Sequence, residues 1–259
     1  MSLFAKAEAE GRPALVGYLP AGFPTVAGGI DAIRAMIDAG VDLVEVGLPY
    51  SDPVMDGPVI QRATEAALSG GVRTKDVLAT VEAVSGRGVP VVVMTYWNPV
   101  ERYGVPAFAR DLAAAGGAGL ITPDLIPDEA DEWLAASDEH KLDRIFLVSP
   151  SSTDERIAMT VAHCRGFVYA TAVMGVTGAR DAVSDAAPTL VARVKATHAP
   201  VPVGVGLGVR DGAQAAAVGA YADGVIVGSA LVQAVAEDSS LASLRALTAD
   251  LAAGVRRAR

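Results

Sequence analysis

Two carboxylates in the first quarter of the chain, Glu45 and Asp56, could take part in catalysis. Glu45 lies inside the apolar run Leu43–Gly47, and Asp56 follows in a segment interrupted by proline and glycine. A carboxylate within an apolar run is costly to bury unless it is used or paired. From position alone, Glu45 could equally be a buried carboxylate satisfied by other groups, and the Asp-Gly-Pro sequence favours Asp56 as the N-cap of a helix that begins at Pro58.

Two glycine-rich segments late in the chain could hold a phosphate. They are residues 203–210 (VGVGLGVR) and 227–231 (VGSAL). Backbone N–H groups at glycine turns and helix N-termini bind anions without lysine or arginine. Glycines that only permit tight turns are the alternative for either segment alone, but their occurrence in the last two units favours phosphate. A dinucleotide fingerprint is not expected, because Asp211 stands where the spacing requires glycine.

A tyrosine and a glycine-bracketed loop mark the sixth apolar run. Tyr169 lies in the run itself, and Gly175 and Gly178 bracket the loop that follows. A loop of this kind can close over a bound ligand. A long surface loop with turn glycines is the alternative.

The remaining residues exclude several kinds of mechanism. No lysine ends an apolar run, so a Schiff-base mechanism lacks its amine. The histidines fall on or just after predicted outer helices, and no CxxC or HExxH motif is present, so we expect no metal site. The residues concerned are Lys6, Lys75, Lys141, Lys195, His140, His163 and His198.

Composition and net charge limit the kinds of binding partner and the cellular compartment that we expect for this chain. The chain has 259 residues, of which 51% are hydrophobic and 20% are charged, and its net charge is −9. An acidic chain without basic clusters is not expected to bind nucleic acid or an anionic membrane. The single cysteine, Cys164, fits a reducing compartment. No secretion signal or apolar run of membrane-spanning length is recognised, so we expect a soluble cytoplasmic enzyme.

Eight apolar runs predict the strands that would position these residues. Each run is short, rich in Val, Ile or Leu, and followed by a turn containing Gly, Pro, Asp or Asn. The runs are continuous rather than alternating, which is typical of parallel strands buried on both faces. The predicted strands are Ala14–Leu19, Leu43–Gly47, Val89–Tyr96, Gly119–Thr122, Arg144–Ser149, Gly166–Thr171, Val201–Gly206 and Gly224–Gly228.

Alanine-rich amphipathic stretches between the runs predict helices. Eight strand–helix units in about 250 residues are typical of a (β/α)₈ barrel, with an open doubly wound sheet as the alternative. We expect a single TIM-barrel domain over residues 1–259, with a short extra helix at Ser2–Glu10. The predicted helices are Thr25–Ala39, Val59–Leu68 continuing into Thr74–Ser85, Val105–Ala115, Pro127–Ala136, Thr153–His163, Ala186–Thr197, Asp211–Val218 and Leu241–Ala253.

The geometry of a barrel predicts where the functional residues should lie. Functional groups in such barrels lie at the carboxyl ends of the strands, so we expect the site in the loops that follow them, among them Trp97–Arg102 and Ser229–Leu231. Because side chains alternate along a strand, Leu43, Glu45 and Gly47 share one face. We expect that face to point into the barrel.

Several motifs together resemble the tryptophan synthase alpha chain family. The most specific are residues 45–53 (EVGLPYSDP) and 56–61 (DGPVIQ). Four shorter motifs agree with them. They are residues 18–22 (YLPAG), 96–99 (YWNP), 175–178 (GVTG) and 228–229 (GS). The resemblance is in order and extends from about Phe4 to Val235.

The resemblance implies a fold, an activity and a set of site residues. The family has a (β/α)₈ barrel and cleaves indole-3-glycerol phosphate to indole and glyceraldehyde 3-phosphate. Glu45 and Asp56 match the two catalytic carboxylates, and Tyr169 matches an active-site tyrosine. The matching substrate-binding positions are Tyr18, Met94, Tyr96 and Leu207 near the indole ring, Gly178, Gly208, Gly228 and Ser229 near the phosphate, and Thr177.

The chemistry of that cleavage agrees with the residues present. Protonation of indole C3 turns the ring into the electron acceptor for a retro-aldol step, so neither a lysine imine nor a metal is needed. We assign proton transfer to Glu45 and stabilisation of the positive charge at N1–H to Asp56. Burial among Val and Leu should raise the pKa of Glu45, whereas Asp56, in a polar loop, should stay ionised.

The resemblance also implies a partner. In the family this is the beta chain, a pyridoxal-phosphate enzyme that joins indole to serine, and the two form an alpha2beta2 tetramer. The pyridoxal phosphate belongs to the beta chain, and we expect no cofactor in this chain. Two alternatives remain open at the level of sequence. They are a free-standing indole-3-glycerol-phosphate lyase and another phosphate-binding barrel isomerase.

Overall fold

Eight parallel strands form a closed barrel in the computed structural model, which describes residues 3–171 and 186–258. Each strand pairs with the next along the chain, and the first pairs with the last. The strands are β1 (Ala14–Pro20), β2 (Leu43–Gly47), β3 (Val91–Met94), β4 (Gly119–Thr122), β5 (Asp143–Val148), β6 (Val168–Thr171), β7 (Val203–Gly206) and β8 (Gly224–Val227).

Helices connect the strands and form the outer layer. They are α1 (Ala5–Ala9), α2 (Val26–Ala39), α3 (Pro58–Ser69), α4 (Thr74–Val84), α5 (Trp97–Tyr103), α6 (Val105–Ala114), α7 (Asp131–Glu139), α8 (Asp154–His163), α9 (Ala186–Lys195), α10 (Gly212–Gly219), α11 (Ser229–Glu237) and α12 (Ala242–Arg256). A 3₁₀ turn at Pro127–Glu129 precedes α7. The barrel predicted from the sequence is therefore confirmed, and the open sheet is wrong.

The largest errors of the prediction concern two segments that were predicted as loops but form helices. Trp97–Arg102 was expected as a loop but forms α5, and Ser229–Leu231 is the first turn of α11. The predicted continuation from Val59–Leu68 into the next helix is also wrong. Gly71 has a positive φ of 86°, which ends the helical conformation between α3 and α4. Positive φ is a conformation that glycine adopts without the steric cost of a Cβ.

Polar side chains begin several outer helices at the predicted places. Thr25, Thr153 and Asp211 are the N-caps of α2, α8 and α10, and each accepts a hydrogen bond from the backbone N–H three residues later. Such caps satisfy amide groups that have no partner within the helix. They fix where each helix leaves the loop at the carboxyl end of its strand.

The amino-terminal segment closes the opposite end of the barrel. Phe4, which is 1% exposed, stacks on Phe167 with ring centroids 5.0 Å apart. A Cβ on Gly224 would lie 2.6 Å from the ring of Phe4, so glycine is needed there for the ring to fit. The interior cluster above it contains Val16, Leu43, Val92, Ile121, Ile145 and Ile226. This packed floor leaves the carboxyl ends of the strands as the place for a site.

A buried ion pair joins the residues that precede β1 and β2, near the same floor. The guanidinium of Arg12 donates to both carboxylate oxygens of Asp42, at 2.6 and 2.9 Å. Asp42 also accepts the backbone N–H of Leu15 at 2.9 Å. Because the carboxylate has three donors, its burial is compensated.

Within the described ranges, none of the helices has the length and apolar character that a membrane span requires.

Candidate active site

Glu45 is a buried carboxylate in the second strand of the barrel. It lies in register with Tyr18 of β1 and Val92 of β3, and it is 1% exposed. Neither of its carboxylate oxygens has a hydrogen-bond partner among the described residues. Burial raises its pKa from 4.5 to about 8. Among the described residues the structure therefore gives Glu45 no satisfying partner, and the raised pKa agrees with the expectation from burial.

Two tyrosines line the same end of the barrel, and each leans over a glycine of a neighbouring strand. A Cβ on Gly47 would meet the hydroxyl of Tyr18 and would lie 2.6 Å from its Cζ atom. A Cβ on Gly206 would meet the hydroxyl of Tyr169 and would lie 2.8 Å from Cε1. Any residue larger than glycine at position 47 or 206 would therefore collide with the tyrosine ring.

Asp56 is held by a tyrosine from the next barrel unit. The hydroxyl of Tyr96 hydrogen-bonds the carboxylate of Asp56 and accepts the backbone N–H of Met55 at 3.0 Å. The N-cap of α3 is Gly57, so the alternative that Asp56 is the helix cap is wrong. Asp56 is half-buried rather than in an open polar loop. Burial raises its pKa, and the hydrogen bond from Tyr96 opposes that rise.

The electrostatics indicate that these five side chains share one region. The pKa of Tyr18 is raised well above its usual value, first by burial and then by the charges of Asp56 and Glu45. The pKa of Tyr169 is raised in the same way, with Glu45 the stronger of the two charges. Burial and Asp56 raise the pKa of Tyr96 to about 12. All three phenols therefore remain protonated donors at neutral pH.

Other predicted residues surround this group. Met94 ends β3 in register with Gly47, and Leu207 directly follows β7 and is 5% exposed. Tyr50, which the sequence prediction missed as a site residue, packs against Tyr96 with ring centroids 5.2 Å apart. Its position within the residue 45–53 motif was the signal that could have identified it.

The predicted phosphate residues lie after the last two strands. Gly208 has a φ of 75°, and Gly228 is the N-cap of α11, whose first residue, Ser229, is 8% exposed. Asp211 already caps α10 through the N–H of Gln214 at 2.8 Å. The N-cap residue of α11 is a glycine and therefore makes no side-chain cap hydrogen bond. Of these two helix N-termini, α11 therefore has the N–H groups that an anion could use. Thr177 and Gly178 lie outside the described residues.

The described His, Cys, Asp and Glu side chains bear on whether the chain could hold a metal. In the part of the chain that the structure describes, no cluster of three or more His, Cys, Asp or Glu side chains could bind a metal ion. His140, His163 and His198 lie at or after the ends of outer helices, as predicted. The chemistry available at the described end of the barrel is that of carboxylates and phenols.

Comparison with known proteins identifies the family to which this arrangement belongs. The sequence profile described as "Tryptophan synthase alpha chain" matches residues 4–256. The chain belongs to the tryptophan synthase alpha chain family. The tryptophan synthase alpha chain of Mycobacterium marinum is 69% identical over 98% of this chain and 93% of the relative. That of Salinispora arenicola is 68% identical over 98% and 96%.

A solved structure agrees with the sequence relatives. Tryptophan synthase of Mycobacterium tuberculosis superposes with a TM-score of 0.93 and 66% identity, over 98% of this chain and 96% of that chain. Membership makes this chain a lyase of tryptophan biosynthesis that cleaves indole-3-glycerol phosphate as the alpha subunit. The resemblance seen in the sequence motifs is thereby confirmed, and the isomerase alternative is wrong.

Proposed function

We propose that Glu45 is the proton-transfer group of indole-3-glycerol phosphate cleavage. The observation that supports this role is its buried carboxyl group, which has no hydrogen-bond partner among the described residues and a pKa raised to about 8. A carboxyl group with that pKa is protonated at neutral pH and can act as an acid. Its conjugate carboxylate can then act as a base in the same catalytic cycle.

The two proton transfers form a closed cycle. Glu45 donates its proton to indole C3, which gives an indolenine cation. The carboxylate of Glu45 then accepts the proton of the carbinol hydroxyl. As that proton leaves, the carbonyl of glyceraldehyde 3-phosphate forms, the C–C bond breaks, and its electron pair returns to the indole ring. Indole is released, and Glu45 is again protonated.

Asp56 and Tyr169 complete the catalytic group. Asp56 accepts a hydrogen bond from N1–H of the indole ring and stabilises the positive charge that develops there. The hydroxyl of Tyr96 holds this carboxylate in place and favours its ionised form. Tyr169 is a neutral hydrogen-bond donor on β6, across the barrel from Glu45 on β2. We assign it a contact with the glycerol part of the substrate. Tyr18, Met94 and Leu207 contact the indole ring.

The substrate phosphate binds at the N-terminus of α11. Gly228 and Ser229 provide backbone N–H groups and a hydroxyl, and Gly208 allows the β7 loop to approach closely. Thr177 and Gly178, in the segment that follows β6 in sequence, also contact the substrate. Backbone groups are the main ligands, which allows an acidic chain to bind an anion without a basic clamp.

The beta chain of tryptophan synthase is the partner in an alpha2beta2 tetramer. The loop at residues 48–58 contains both the catalytic Asp56 and Val54, which is 72% exposed. A beta chain that covers Val54 would therefore order the loop that positions Asp56. Pyridoxal phosphate belongs to the beta chain, and this chain uses no cofactor. We place this single domain, residues 1–259, in the cytoplasm.

Steady-state indole release tests both the assignment and the partner. Purified chain is assayed with indole-3-glycerol phosphate, alone and with a titrated beta chain, and sedimentation of the mixture reports complex formation. We expect slow release by the chain alone and a rise of about 10²-fold or more in the complex, because a misplacement of about 1 Å can cost that much. A complex without acceleration contradicts the role of the loop. Fast release without a complex identifies a free-standing lyase.

A further inference from the structure

Asp124 caps a helix that belongs to a different barrel unit. It lies in the loop after β4, and its carboxylate accepts the backbone N–H of Trp97 at 2.8 Å. Trp97 is the first residue of α5, and the residue at the N-cap, Tyr96, does not cap the helix with its own side chain. The carboxylate therefore satisfies an amide at the start of α5 that has no partner within the helix.

The peptide group between Tyr96 and Trp97 is held on both sides. Its N–H donates to Asp124, and its carbonyl oxygen accepts the hydroxyl of Thr95 at 2.9 Å. The backbone N–H of Thr95 donates in turn to Ile121 of β4 at 3.1 Å. With both polar atoms engaged, the peptide plane has one orientation. That orientation sets the direction in which the side chain of Tyr96 leaves the backbone.

The far end of the same side chain reaches the catalytic loop. The ring of Tyr96 is 5% exposed, and its hydroxyl bonds both the N–H of Met55 and the carboxylate of Asp56. A continuous set of contacts thus runs from Asp124 through the backbone of Tyr96 to Asp56. A shift of the peptide at one end displaces the hydroxyl at the other, because the ring is rigid.

We propose that Asp124 is a positioning residue that acts on Asp56 through Tyr96. This inference rests on the proposed role of Asp56 in the reaction. Asp124 acts by fixing where the hydroxyl of Tyr96 holds the catalytic carboxylate. Because the effect is on geometry rather than on substrate affinity, loss of Asp124 lowers kcat more than it raises KM.

The test compares variants of Asp124 and Tyr96 in the indole-release assay. We expect Asp124→Ala to lower kcat about tenfold with KM changed less than about twofold. Asp124→Asn keeps an oxygen acceptor and should retain kcat within about threefold of the unaltered chain. In the double variant Asp124→Ala with Tyr96→Phe, the two losses should not multiply, because both act through one hydroxyl. The control is Thr153→Ala, which removes the cap of α8 at the same end of the barrel and should leave kcat unchanged.

Either of two results with the alanine variants would overturn the proposal. One is an Asp124→Ala variant with kcat within about twofold of the unaltered chain. The other is full multiplication of the losses in the double variant, which would make the two residues independent. If Asp124→Ala does not fold, Asp124→Glu replaces it, since it keeps the charge but moves the carboxylate. Its kcat should then lie well below that of Asp124→Asn, and equal values would contradict the proposal.

A crystal structure separates this inference from the proposed reaction. If the unaltered chain and its complex release no indole, the proposed function fails, whereas the positioning claim is still decided by coordinates. In Asp124→Ala, or in Asp124→Glu if the alanine variant does not fold, the hydroxyl of Tyr96 should move about 1 Å or more from its place beside Asp56. An unmoved hydroxyl would overturn the inference.

Discussion

The hydroxyl of Tyr18 lies over the α-carbon of Gly47, in the space that any larger side chain would fill. Tyr18 lies on β1, and Gly47 lies on the adjacent strand β2. The residue of β2 that is in register with Tyr18 is Glu45, two residues before Gly47. The same relation holds between Tyr169 and Gly206. In both pairs, the glycine two residues beyond the position paired with the tyrosine leaves the space that the tyrosine ring occupies.

Gly47→Ala should displace Tyr18 and impair the enzyme. The added Cβ would lie 2.6 Å from Cζ of Tyr18, so the ring must move. We expect kcat/KM for indole release to fall about tenfold or more, and the free energy of unfolding to fall by about 1–3 kcal/mol. Gly70→Ala is the control, since Gly70 ends α3 with an ordinary φ of −72°. Equal activity of the two variants would show that the ring has room to move.

Glu45→Gln should keep the fold and abolish most of the activity. Glutamine preserves shape but cannot donate and regain a proton, and a positioned acid–base group contributes about 10²-fold or more. Indole release under saturating substrate measures the loss. Glu82→Gln, the same change at an exposed position of α4, is the matched control. Activity of Glu45→Gln within about threefold of the unaltered chain would remove Glu45 from the mechanism.

The same variant should differ from the unaltered chain in the pH dependence of stability. The pKa of Glu45 is about 8 in the folded chain and near 4.5 when unfolded, so the folded state binds more protons between these values. Stability of the unaltered chain therefore falls as pH rises through this window, by at most about 1.4 kcal/mol per pH unit from this group. Glutamine removes that term.

Urea unfolding at several pH values between 5 and 8 provides the measurement. The free energy of unfolding of Glu45→Gln, minus that of the unaltered chain, should increase with pH, because the other titrating groups are common to both proteins. A difference that stays constant over this range would show that the carboxyl group keeps an ordinary pKa in the folded chain.

Asp56→Asn should be strongly impaired while substrate still binds. Asparagine can accept the hydroxyl of Tyr96 but cannot carry the negative charge that stabilises the indole N1–H. We expect kcat to fall about 10²-fold with KM changed little, as steady-state indole release will show. Asp131→Asn, an exposed position of α7, is the control. Near-normal turnover of Asp56→Asn would leave Asp56 with only a structural role.

Phe4→Ala should destabilise the barrel from its floor. Removing a buried phenylalanine costs about 3–5 kcal/mol, because the space beneath Phe167 is left empty. Urea unfolding measures the loss, and Tyr103→Ala, at a partly exposed aromatic residue, should cost much less. The kcat of the folded fraction should change less than threefold, since Phe4 lies at the end opposite the site. A loss below about 1 kcal/mol would mean that the floor packs without Phe4.

Local sequence signals predicted the strands and the inward direction of Glu45, because both depend on neighbours along the same run. They did not predict α5, whose first amide is capped by Asp124 from another barrel unit. They also favoured a cap for Asp56, since the Asp-Gly-Pro sequence is a local signal for one. The contact that Asp56 makes, with Tyr96, joins residues 40 positions apart and has no local signal.

The pairing of Ala14 with Gly224 has a consequence for how this chain is made in a cell. The first strand leaves the ribosome well before its second neighbour, β8, which begins 210 residues later along the chain. Until then β1 has one free edge, and the ring of Phe4 lacks the glycine against which it fits. An uncovered strand edge can pair with another chain. Nascent copies on one messenger RNA are therefore most exposed to mispairing before the eighth strand is complete.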